Sequence, residues 1–75
     1  MKRSEFLENI IEVVEIENEV TESTVLADIK EWDSLAAVTT LALFNKKLGL
    51  KIPASELAKC TTVADLLDLG NSQYA

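Results

Sequence analysis

Apolar residues recur along this chain with a helical period, in blocks separated by stretches that keep no period. In the first block Phe6, Leu7, Ile10, Ile11, Val13 and Val14 fall on one side, while Glu5, Glu8, Glu12, Glu15 and Glu19 step by three and four along the other. Ser4 is placed to cap this helix and Glu5 suits its positively polarised first turn, so a helix is expected over about 4–16. Residues 17–33 hold no sustained period. Their apolar members, Val20, Val25, Leu26, Ile29 and Trp32, are irregularly spaced and would pin a long loop to the core, with Trp32 as a packing anchor. The period returns at Ser34. Leu35, Val38, Leu41, Ala42 and Leu48 share a face, which predicts a second helix over 34–48. Gly49 is placed to stop it in a left-handed conformation, and Lys46 and Lys47 complement the dipole of its last turn.

Pro53 marks the next boundary, because proline cannot sit inside a helix. Residues 55–59 can form one short helix capped by Ser55. Thr62-Val63-Ala64-Asp65 resembles a capping box with Asp in place of Glu. Val63, Leu66, Leu67 and Leu69 supply the apolar side of a last helix over 62–69, which Gly70 ends, and the tail 71–75 is expected to fray. No segment has a strand period. The expected fold is all-α, a single domain over 1–75 built as a four-helix bundle. It has three main helices, one short one, and a long loop between the first two.

Composition narrows the function. With 48% apolar and 27% charged residues the 75-residue chain reads as a globular domain rather than a disordered one. No apolar run approaches the roughly 18 residues that span a bilayer, and the basic Met1-Lys2-Arg3 is followed by glutamates rather than a signal core, so a cytoplasmic address is expected. The net charge of −6 is uneven: residues 1–33 hold ten acids against three bases, and residues 34–75 hold three acids against four bases. Nucleic acid is a poor partner without a basic face, whereas basic proteins suit this surface. Histidine is absent, which removes the usual general base and metal ligand, so neither a catalytic residue nor a metal site is expected. Cys60 is alone and reads as a small, partly buried residue ahead of the last helix.

The candidate chemistry sits at Asp33-Ser34-Leu35, where the loop gives way to the second helix. A helix start offers unpaired N–H groups and the positive end of the dipole, which favour a phosphate ester on the Ser34 hydroxyl. Asp and Ser are also ordinary capping residues, so the tripeptide alone would mean no more than a cap. Asp33-Ser34-Leu35 stands in a longer ordered set, however. An apolar loop precedes it, Gly49…Ile52-Pro53 follows, and Thr62-Val63-Ala64-Asp65-Leu66 opens the last helix.

In order and spacing, that set resembles an acyl carrier protein over nearly the whole chain. The resemblance implies a protein that is not an enzyme. A phosphopantetheinyl transferase would move 4′-phosphopantetheine from coenzyme A onto Ser34. The arm's thiol would hold an acyl or aminoacyl group as a thioester, loaded by a ligase and passed to acyl-transfer enzymes of fatty acid or secondary metabolite biosynthesis. Asp33 and Leu35 would be motif neighbours, with Leu35, Ala36, Val38 and Thr39 meeting partners, and the protein would be a monomer. The alternative is a small helical interaction module that keeps the fold without the arm. One departure stands out: fatty-acid carriers usually place several acids after the serine-leucine pair, yet no acid lies between Ser34 and Leu48, and Trp32 precedes the Asp-Ser pair where a small residue is common. A specialised carrier with a dedicated pathway is therefore expected rather than the housekeeping one.

Overall fold

Four α-helices set the architecture: α1 over Arg3–Val14, α2 over Ser34–Leu48, α3 over Ala54–Ala58 and α4 over Val63–Asp68. The computed structural model describes residues 1–74. Among these there is no strand, only an isolated bridge between Val25 and Thr62.

α1 begins a residue earlier than its expected start. Lys2 occupies the cap position and donates its N–H to the Glu5 carboxylate at 2.9 Å, which leaves Ser4 inside the first turn rather than capping it. The helix also ends at Val14 rather than at Ile16. Glu15 turns left-handed at φ 61°, and the N–H groups of Glu15 and Ile16 bond back to the carbonyls of Glu12 and Ile11. A left-handed non-glycine residue costs about 1 kcal/mol, and the turn brings Ile16 back against the core.

The long connection is tied down along its length. Residues Leu26–Asp28 form a 3-10 turn, and Leu26 and Ile29 are buried. Leu26 N–H donates to Thr61 at 2.9 Å, while Val63 and Ala64 N–H donate at 2.9 Å to Thr24 and Glu22. These bonds clamp the loop to the start of α4. Trp32 is half-buried and packs on the edge of the core.

Asp33 caps α2, its Oδ1 accepting Ala36 N–H at 2.8 Å, and Gly49 closes it at φ 68°. The buried face differs from the expected one. Ala36, Thr40, Leu43, Phe44 and Leu48 face the core, while Leu35 and Val38 are 74% and 62% exposed. Thr40 can lie on that face because its hydroxyl donates to the Ala36 carbonyl at 2.9 Å, so a formally polar residue is satisfied while fully buried.

α3 is shifted by one residue from 55–59. Pro53 is its cap, no side chain caps it, and Ser55 lies within it. Thr62 caps α4, where Asp65 N–H donates to Thr62 Oγ1 at 3.2 Å and Asp65 Oδ2 accepts the N–H groups of Thr61 and Thr62. Those backbone bonds, that of Thr61 first, hold the Asp65 carboxyl below the usual carboxylate range. α4 ends at Asp68, and Gly70 adopts φ −103° rather than a left-handed turn. Glycine is needed there for space: a Cβ would lie 2.7 Å from Leu48 Cδ1 and 3.1 Å from Phe44 Cε1.

The tail does not fray over residues 71–74; Ala75 lies outside the described residues. Asn71–Gln73 form a 3-10 turn, Tyr74 Oη donates to the Leu67 carbonyl at 2.7 Å, and its ring lies 6.0 Å from that of Phe6. Arg3 ties the same corner together. It pairs with Glu22 at 2.9 Å and Asp68 at 2.8 Å, bonds Asn71 and the Ala64 carbonyl, and lies 5.9 Å over the Tyr74 ring.

Burial pushes the Tyr74 phenol up to about 12, above its ordinary 10. Its contribution to stability is therefore complete below pH 10 and is lost as pH rises towards 12. Thermal melts of wild type should fall across that window, and Tyr74→Phe should not share that part of the fall. Identical alkaline profiles would show that the phenol is not held by the fold.

Candidate functional site

Ser34 is the first residue of α2, and its side chain is exposed. The cap is made by Asp33, so among the described residues the hydroxyl has no structural bond to give up. Among the described residues, the N–H groups of Ser34 and Leu35 have no intramolecular acceptor. They stand at the positive end of a 15-residue helix. An exposed hydroxyl beside free donors fits a phosphodiester, both sterically and electrostatically.

Two clefts flank this helix start. α1 and α2 run antiparallel, since the ring of Phe6 near the start of α1 lies tilted 4.8 Å from that of Phe44 near the end of α2, while Val13 near the end of α1 meets Leu35 at the start of α2. The Ser34 end of α2 therefore lies beside the C-terminal end of α1. There Val13, Val14 and Glu15 face Asp33, Leu35, Ala36 and Thr39 across a cleft of about 290 Å³ that Glu31 also lines. On the other side Trp32, Ala37, Val38 and Leu41 face α3 and Cys60 across a more apolar cleft of about 220 Å³.

The residues expected to meet partners divide between these clefts. Leu35 and Val38 are broadly exposed, and Thr39 is half-buried with its hydroxyl donating to the Leu35 carbonyl. Ala36 is 6% exposed and forms cleft floor rather than outer surface. Burial first, then the nearby Asp65 and Glu56 carboxylates, raises the Cys60 thiol, which also lies 3.6 Å from the Glu56 carbonyl. A protonated, bonded thiol is a weak nucleophile. The chain has no histidine, and among the described residues no group of three His, Cys, Asp or Glu could hold a metal ion. No helix among the described residues is long and apolar enough to cross a membrane.

Reading the sequence alone missed the α1–α2 cleft and the Arg3 network. A signal for the cleft was present in Val13, which stands in phase with Phe6 and Ile10 yet is 43% exposed at the cleft.

No curated protein and no solved structure matches the chain at significance. A family model described as "Phosphopantetheine attachment site" matches residues 4–69, a span that takes in all of α2, α3 and α4 and nearly all of α1. Joined to the all-α fold and the free helix start, that match places the chain in the phosphopantetheine attachment family, a carrier domain of the acyl carrier protein type whose covalent cofactor is 4′-phosphopantetheine.

Proposed function

We propose that Ser34 is the attachment point and that the loaded protein holds an acyl or aminoacyl group as a thioester for delivery to partner enzymes. The observation that supports this reading is the place of Ser34: exposed, first in α2, beside two free N–H groups, inside the matched span. Carrier domains of this kind are not catalysts, so the chemistry belongs to partners. A phosphopantetheinyl transferase would form the phosphodiester at Ser34 Oγ as the hydroxyl loses its proton and the nucleotide part of coenzyme A leaves. A loading ligase and acyl-transfer enzymes would then use the thiol of the arm. A cytoplasmic monomer, with Asp33 and Leu35 as motif neighbours, is part of the same reading. The direct test is incubation with coenzyme A and a transferase, followed by intact mass and peptide mapping. One pantetheine on the peptide holding Ser34 is expected. A chain that stays unmodified, or is modified elsewhere, defeats the assignment.

A specialised pathway is the finer proposal, supported by the absence of any acid from Ser34 to Leu48. Fatty-acid enzymes that rely on an acidic second helix should serve this protein poorly. Val38 and Thr39 are the positions at which charge can be added, because Ala36 is buried and an acid there would unsettle the core. Val38→Glu with Thr39→Glu should raise the transfer rate from a fatty-acid malonyl transferase by about tenfold at low salt, and by less at high salt. If the native protein is already served as well as an ordinary fatty-acid carrier, the specialised reading fails.

A further inference from the structure

We infer that the C-terminal end of α2 and the turn after it, with Lys46, Lys47 and Lys51, form a docking site for a carboxylate-bearing patch on a partner protein that acts through the loaded arm. This rests on the carrier reading and adds a contact remote from Ser34. No acid occurs from Ser34 to Ser55, although the chain carries a net charge of −6. Lys46, Lys47 and Lys51 all fall in that stretch, and nothing in it offsets them. The helix dipole accounts for only part of this. Lys46 and Lys47 complement the last turn of α2, but Lys51 lies beyond the helix, where the dipole has faded.

The three lysines stand together and are free. Gly49 turns at φ 68° and donates its N–H to the Asn45 carbonyl at 3.0 Å, and Leu50 N–H donates to the Phe44 carbonyl at 3.2 Å. Those two bonds fold the chain back on the last turn of α2 and keep Lys51 beside it. All three side chains are exposed, and none joins an ion pair among the described residues. Arg3 and Lys59 differ: Arg3 is paired with Glu22 and Asp68, and Lys59 with Glu56. The elements packed on this end bring Glu5 and Asp68, and both have partners. The first turn of α1 arrives with Phe6 against Phe44, and its Glu5 carboxylate accepts Lys2 N–H. The turn after α4 sets Gly70 against Leu48, and Asp68 before it is held by Arg3.

Charge selects the occupant. Nucleic acid and anionic membranes are negative throughout, so the net −6 around the lysines repels them, and a second copy brings another −6. A different protein can be negative opposite the lysines and neutral or positive opposite the rest. Distance selects its task. Lys46 lies along α2 from Ser34 by about 18 Å, at about 1.5 Å per residue. The transferase must cover the Ser34 hydroxyl itself, whereas an enzyme that uses the arm's thiol can grip the carrier at a distance. Between the two ends the exposed Val38, Ala42 and Asn45 are uncharged, so Lys46 is the first charge met along the outward side of the helix.

The test titrates ¹⁵N-labelled apo protein with a short helical peptide whose glutamates flank a leucine, and with the same peptide carrying glutamine in their place. The amides of Lys46, Lys47, Gly49, Leu50 and Lys51 should shift with the glutamate peptide alone, and binding should weaken about fivefold from low to high salt. Lys46→Gln with Lys51→Gln should weaken it about fivefold at low salt, while Lys30→Gln with Lys59→Gln, which removes the same charge elsewhere, should stay within about twofold. Pantetheinylation of the Lys46/Lys51 pair by a purified transferase should run at the wild-type rate. Equal losses in the two pairs, or shifts only outside the end of α2 and its turn, would end the proposal. Tighter binding to phosphatidylglycerol vesicles than to the peptide would assign the lysines to a membrane, and shifts of these amides on concentrating the protein alone would assign them to a second copy. Either result overturns it, as does slow pantetheinylation of the Lys46/Lys51 pair, which would put the transferase there. The titration needs no arm, so its failure beside normal pantetheinylation removes this inference alone. A wild type that is never modified removes the carrier reading, and the assignment of the partner with it.

Discussion

Ser34→Ala is expected to take up no pantetheine while melting within about 0.5 kcal/mol of wild type, as substitutions clear of caps and core do. The two halves of that expectation come from different features of one helix start. Uptake needs the hydroxyl, since the phosphodiester is made on its oxygen and alanine offers none. Stability needs the cap, and the cap is Asp33, whose Oδ1 holds Ala36 N–H at 2.8 Å. Ser34 is exposed at the first helical position, where alanine is a good helix former. Had serine itself been the cap, its loss would cost about 1 kcal/mol. The measurement is intact mass after exhaustive reaction with transferase and coenzyme A, paired with a thermal melt of the unreacted variant. A fully modified Ser34→Ala would move the attachment elsewhere. An unmodified but unfolded variant would show that Ser34 carries structure as well as cofactor.

Features encoded by local chemistry were legible in the residues alone. Asp33 before α2 and the Thr62–Asp65 box before α4 are short exchanges between a side chain and the neighbouring backbone, and Gly49 after α2 is a left-handed turn that glycine favours, so residue type and spacing pointed to them, although Ser4 and Ser55, read in the same way, cap nothing. What depended on packing was not legible. The buried face of α2 is set by Ala36, Leu43, Phe44 and Leu48 packing on the core, with Thr40 admitted because its hydroxyl bonds its own helix, while Leu35 and Val38 are apolar residues left in solvent. Gly70 invited a turn argument, whereas its role is the close approach of Leu48 and Phe44. The end of α1 was misplaced because a glutamate takes a left-handed conformation that glycine usually fills. The candidate site divided in the same way. Asp33-Ser34-Leu35 lies on a continuous stretch and could be read directly, but the α1–α2 cleft joins residues from the thirteenth to the thirty-ninth position and exists only once the helices pack.

Phe44→Ala should remove most of the stability of the domain. Phe44 is fully buried, its ring lies 4.8 Å from that of Phe6, and it sits under Gly70, so it joins α1, α2 and the turn after α4. Truncating a buried phenylalanine costs about 3–5 kcal/mol, because contacts are lost and a cavity stays behind. A domain of 75 residues holds about 4–11 kcal/mol in total at the usual 0.05–0.15 kcal/mol per residue, so one substitution consumes a large share. Trp32→Ala should cost less, about 1–2 kcal/mol, because that ring is only half-buried at the edge of a cleft. Urea melts of the two variants should rank them in that order. The same pair tests what the transferase reads. Phe44 lies toward the far end of α2 from Ser34 and leaves the tripeptide untouched, so a fall in pantetheinylation that follows the unfolded fraction of Phe44→Ala would show that the enzyme needs the folded helix start. Full-rate modification of an unfolded Phe44→Ala would show that Asp33-Ser34-Leu35 is recognised as a linear segment, and the free N–H groups at the start of α2 would then have no part in it.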